Sequence, residues 1–151
     1  MGREIISIED SVAERIGPAR VLIGMPFIYA MIIPLIFLDI CLEAYHHFCF
    51  PLYGIPVVPR SRYIRIDRHR LKYLSGISKL NCLYCGYGNG LMHYASVIAA
   101  MTELYWCPIQ HKAGEDFSSP RHHHLFAKYG EVESLQKLLA KDRTNLQMIG
   151  E

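Results

Sequence analysis

Two short runs carry the side chains best suited to chemistry. Cys82-Leu83-Tyr84-Cys85-Gly86-Tyr87-Gly88 holds two thiols in a C-x2-C-G pattern. Cys107-Pro108-Ile109-Gln110-His111 adds a third thiol and an imidazole. A C-x2-C-G turn is the usual shape of a metal knuckle. The glycine lets the chain turn while backbone N–H groups point at the sulfurs. Cys82, Cys85, Cys107 and His111 together make a Cys3His set, which suits structural zinc and also iron–sulfur ligation. Zinc is the expected ion, because a closed set of four ligands needs no special assembly.

One shared site depends on the chain between the two runs. A helix over Leu91–Trp106 spans about 24 Å at 1.5 Å per residue. The linker Gly86–Gly90 reaches back about 17 Å when extended. The alpha carbons of two ligands on one metal lie roughly 7 Å apart. The distances just close if glycines 86, 88 and 90 form a return loop antiparallel to that helix. Three rival readings stay open. Cys82 and Cys85 form a dithiol redox pair, the site is shared across a dimer, or the cysteines are buried and inert.

Other groupings are weaker. Asp39, Glu43, His46 and His47 recur at helical spacing, and Glu43-x-x-His46 matches half of a di-iron carboxylate motif. No second half exists, so these residues read as groups facing headgroups and water at the end of an apolar run. His122-His123-His124 reads as a solvated helix start, because adjacent residues on a helix point apart. The run Arg60, Arg62, Arg65, Arg68, Arg70 and Lys72 reads as a basic face meeting anionic lipid.

The elements that must position these groups begin with Val21–Leu38, which is uncharged and long enough to enter a bilayer. A buried core helix is the alternative, but a chain of 151 residues has little mass to wrap it. Residues 1–20 read as an amphipathic interfacial helix with Ile5, Ile8, Val12 and Ile16 on one side. Residues 21–50 form the anchor, kinked at Pro26 and Pro34, and residues 51–59 a proline-rich interfacial link. Residues 60–151 form a small helical metal-binding domain. It is expected to contain a strand over Arg62–Ile66 and a helix capped by Asp67. Further helices are expected over Leu91–Trp106, from Ser119-Pro120 to Gly130, and from Val132 onward. Five cysteines cannot all pair within one chain, and free thiols fit a reducing compartment. A net charge of +2 argues against nucleic acid as a main partner.

The strings FPLYGIP (50–56), LNCLYCGYGNGL (80–91) and TELYWCPIQH (102–111) resemble those of an uncharacterised family of small bacterial membrane proteins. The resemblance covers roughly residues 20–111 and has no activity to carry over. It implies a bacterial inner-membrane setting and adds weight to Cys82, Cys85, Cys107 and His111. The expectation is therefore a mostly α protein. It has a kinked transmembrane or re-entrant N-terminal helix and a small helical cytosolic domain clipped by a Cys3His site. Its leading role is a metal-binding accessory or scaffold protein at the bilayer, with a membrane protein complex as a further partner. The alternative is a redox protein, either an iron–sulfur carrier or a dithiol oxidoreductase.

Overall fold

The computed structural model describes residues 5–141. The chain is mostly helical, with α1 over Ile8–Ile16, α2 over Pro18–Ala30, α3 over Ile32–Leu52, α4 over Gly76–Trp106 and α5 over Val132–Leu139. Short 3-10 turns occur at Arg60–Arg62, Arg68–Arg70 and Arg121–Leu125. Among the described residues the only β pairing consists of two isolated parallel bridges, Ile6 with Leu74 and Ile109 with Ala127. The contacts divide into two units. The first takes residues up to Glu43 and Pro59–Tyr94, and the second takes Ala44–Val58 and the residues from Ala95 onward.

In the first unit, Ser7 caps α1 by accepting the Asp10 N–H at 3.3 Å, and Glu9 and Asp10 favour the helix start. Gly17, at φ 90°, ends α1, and Pro18 opens α2. The break at Met31 lies three residues before Pro34, whose ring and missing N–H disturb the carbonyl four residues back. Pro26, by contrast, is accommodated inside α2. Across that break, Pro18–Leu52 is 35 residues with a mean hydropathy of 2.5 in its most apolar window, none of which is buried. It is long and apolar enough to cross a membrane. Leu22, Phe27, Ile33 and Phe37 are each 70 % exposed or more, unlike the side chains of a core helix.

The other face of α2 meets α4. The Tyr84 hydroxyl donates to the Ile28 carbonyl at 2.6 Å, the Tyr29 hydroxyl donates to Asn81, and the two rings meet edge to face. Ser75 caps α4 by accepting the Ser78 N–H at 3.1 Å. Ser75 and Ser78 also donate their hydroxyls to the two oxygens of Glu9, which ties α1 to the start of α4. Burial alone would raise the Glu9 pKa, but the Ser78 and Ser75 hydrogen bonds outweigh it and hold the pKa at about 2.

Two expected elements are absent from this unit. Arg62–Ile66 is not a strand, and Asp67 caps no α-helix; a 3-10 turn follows it and α4 starts at Gly76. The stretch from Tyr63 is irregular and lies against α4, where glycines replace side chains. A Cβ on Gly90 would stand 2.8 Å from the Tyr63 carbonyl and 2.9 Å from the Ile64 alpha carbon. One on Gly86 would meet the Arg65 carbonyl at 3.3 Å, and one on Gly88 would meet Leu35 at 3.4 Å.

In the second unit Phe50, Ile55, Val58, Ile98, Met101, Leu104 and Phe126 are buried together with His46. The His46 Nε2 accepts the Val58 N–H at 2.9 Å, so its proton sits on Nδ1. Tyr53 stacks on Tyr105 and meets Trp106 edge to face. Pro108 stops α4 and is itself buried. The helix expected from Ser119-Pro120 is only the 3-10 turn Arg121–Leu125. The final helix forms as α5 and ends at Leu139.

Candidate metal centre

The cysteine knuckle does not form. Cys82 and Cys85 lie within α4, three residues apart on one helical face, and both thiols are free. The proposed return loop Gly86–Gly90 is also helix, so it carries the chain forward along the axis. Its glycines serve close packing against Leu35 and the Tyr63–Arg65 backbone. Cys107 follows the last residue of α4, exposed, with its N–H on the Glu103 carbonyl at 2.7 Å. The Cys3His set is therefore not assembled as expected.

Among the described residues, the group whose ligand atoms converge is Glu103, His122 and His123, all within 4.8 Å of one another. Glu103 comes from the last turn of α4. The chain leaves α4 at Pro108 and pairs with residue 127: the Gln110 N–H reaches the Ala127 carbonyl at 2.8 Å, and the Ala127 N–H reaches the Pro108 carbonyl at 2.9 Å. The Gln110 amide then donates to the His123 and Phe126 carbonyls at 2.9 and 3.2 Å. These bonds fix the 3-10 turn beside Glu103.

Each carboxylate oxygen faces one imidazole. The His122 Nε2 lies 3.1 Å from Oε2, and the His123 Nε2 lies 3.5 Å from Oε1. The two rings are nearly perpendicular. His123 is 3 % exposed, stacked on Phe126, with its Nδ1 3.1 Å from the Ser119 hydroxyl. A hydroxyl on the far nitrogen is the arrangement that orients metal-binding histidines. His111 belongs to these surroundings: its ring centre is 5.4 Å from that of His123, and Phe117 packs on it edge to face. His124 turns away to the Arg121 carbonyl.

Sequence reasoning placed His111 in a metal site but missed its neighbours. Adjacent histidines do diverge on a helix. Here a two-oxygen carboxylate rises between them, so divergence is what lets both reach it. The signal available was Glu103 one turn before Cys107-Pro108, together with a buried position inside a polar triplet.

Of the two histidines at the end of the apolar run, His47 is exposed, as expected of a group facing water, whereas His46 is buried. Asp39 and Glu43 are part-buried rather than fully in water. Both accept from Arg60, with Arg60 Nη2 2.7 Å from Asp39 Oδ2 and Nη1 3.0 Å from Glu43 Oε1. Tyr87 donates to Asp39 at 2.8 Å, and the Arg60 guanidinium lies over the Tyr94 ring at 5.8 Å. The Asp39 hydrogen bond, more than offsetting burial, keeps Arg60 charged above its usual range. Burial, helped by a hydrogen bond to Glu43, pushes the Tyr94 phenol up. Comparison with family models, with curated proteins and with solved structures gives no match.

Proposed function

We propose that this chain is a membrane-attached, non-enzymatic accessory or scaffold protein. It binds one zinc ion through Glu103, His122 and His123. The supporting observation is the fit of their spacing. One ligand atom from each residue lies within 4.8 Å of the others, and tetrahedral ligands about 2 Å from zinc stand roughly 3.3 Å from one another. An ion would take the place of the Nε2 protons. The His123 Nδ1–H would then donate to Ser119. His111 is the nearest further imidazole and would close the set. A closed set supports a structural ion rather than a reaction centre.

Attachment to the bilayer through Pro18–Leu52 is supported by the outward apolar side chains. A bacterial inner membrane, with the C-terminal part on the cytoplasmic side, follows from the family resemblance and from the basic residues after the anchor.

Elemental analysis of detergent-purified protein tests the metal reading. The expected result is one zinc per chain, lost in His123→Ala and Glu103→Gln and kept when Cys82, Cys85 and Cys107 are all serine. Zinc retained in His123→Ala overturns the ligand set. A brown iron–sulfur spectrum, or no metal and a titratable Cys82–Cys85 disulfide, replaces this reading with the redox one.

A further inference from the structure

The Tyr63–Arg68 segment and the glycine-bearing face of α4 border an open surface cavity of about 300 Å³ in the first unit. Arg65, Arg68, Asn89, His93, Tyr63 and Cys85 line it, and no carboxylate does. Among the described residues neither arginine takes a salt bridge. Asp67, the nearest acid in sequence, is exposed and does not line the cavity. This is the reverse of Arg60, whose charge is answered twice. Two of the lining groups have fixed neighbours. Tyr63 meets the His93 ring edge to face at 5.0 Å, and Asn89 is pinned to the Cys85 carbonyl at 2.9 Å. The Gly86 and Gly90 contacts fix the backbone that carries Arg65.

Two uncompensated guanidinium groups with an imidazole and an amide in one concavity match a phosphate. Guanidinium forks bind its oxygens in pairs, and the oxygens accept from every donor present. A water occupies about 30 Å³, so the space exceeds a bare phosphate and leaves room for an ester substituent.

We propose that this cavity binds a phosphate group through Arg65 and Arg68, with His93 as a third donor. The phosphate belongs either to an anionic lipid headgroup or to a soluble molecule. The first source fits the apolar face that the same unit exposes on α2 and the start of α3.

Cys85 is exposed and lines the cavity, so its thiol reports occupancy. The full chain is placed in nanodiscs of phosphatidylglycerol or phosphatidylcholine, or in neutral detergent with inorganic phosphate. Maleimide labelling of Cys85 is then followed by peptide mass spectrometry, with Cys107 as the internal reference. Labelling should slow roughly tenfold when about nine sites in ten are filled. Protection should vanish in Arg65→Gln/Arg68→Gln. Protection by phosphatidylglycerol alone assigns a lipid headgroup, and protection by inorganic phosphate as well assigns a soluble phosphate. Equal labelling in all conditions, or protection that survives in the double variant, overturns the proposal. Zinc binding and phosphate binding fail separately: His123→Ala should leave Cys85 protection unchanged.

Discussion

Asp39 and Glu43 are answered by a guanidinium, and Glu103 is answered by two imidazoles. Arg60 cannot lose its proton at any ordinary pH, so its two carboxylates are permanently occupied. Tyr87 and Tyr94 use their remaining capacity. The cluster is closed by the chain itself. His122 and His123 instead hold exchangeable protons on the nitrogens facing Glu103, and a cation can replace those protons. Similar counts of polar groups thus give a staple in one unit and, in the other, the group proposed to dock a cation. What separates them is whether the positive partner is fixed or exchangeable.

The comparison breaks most directly at Arg60. Arg60→Ala leaves two part-buried carboxylates without a cation. The expected loss is about 3 kcal/mol in chemical unfolding, the low end for a broken buried pair, because 35 % of the Arg60 side chain is exposed. A loss of only about 0.5 kcal/mol would make it an ordinary surface pair. Zinc sharpens the other side. At a free concentration roughly 100-fold above its Kd, zinc should stabilise the wild type by about 2.7 kcal/mol. It should leave His123→Ala unmoved, and Arg60→Ala should still respond. Equal stabilisation of His123→Ala removes the contrast.

Gly90→Ala tests whether the Arg60 cluster depends on the backbone seated against α4. The new methyl meets backbone atoms below 3 Å, so a loss of about 1–3 kcal/mol is expected. Gly24→Ala, in open space within α2, should gain about 0.5–1 kcal/mol. The remaining test, at Glu9, is one of pH dependence. Its pKa is depressed from 4.5 to about 2. Its contribution is therefore complete above pH 4.5 and lost as pH falls toward 2. The stability difference between wild type and Glu9→Gln should be constant from pH 7 to 5 and then shrink. A difference independent of pH would mean that the Ser75 and Ser78 hydroxyls do not favour the charged form.

Much of the fold is legible in the residues. The Val21–Leu38 run, the Gly17-Pro18 break, the helix through Leu91–Trp106 and the final amphipathic helix follow from hydropathy period and breaker residues. The site is far less so. Glycines 86, 88 and 90 read as a loop because glycine weakens a helix. Nothing in their spacing reveals that an irregular segment from residues 63–65 presses on two of them. Asp39 and Glu43 read as exposed because their partner, Arg60, lies beyond a proline-rich link. Glu103 lay hidden in an apolar helix, and its histidines were discounted because adjacent side chains diverge, although a two-oxygen carboxylate can meet both.

The separation of Asp39 from Arg60 along the chain matters during synthesis. Arg60 follows Asp39 by 21 residues, which at 5–20 residues per second is roughly 1–4 s on the ribosome. The apolar segment emerges first, bearing two carboxylates whose Arg60 partner is not yet made. The carboxylates and that counter-charge therefore leave the ribosome at separate times. Synonymous codons between Phe50 and Arg60 set the length of that interval without altering the finished protein.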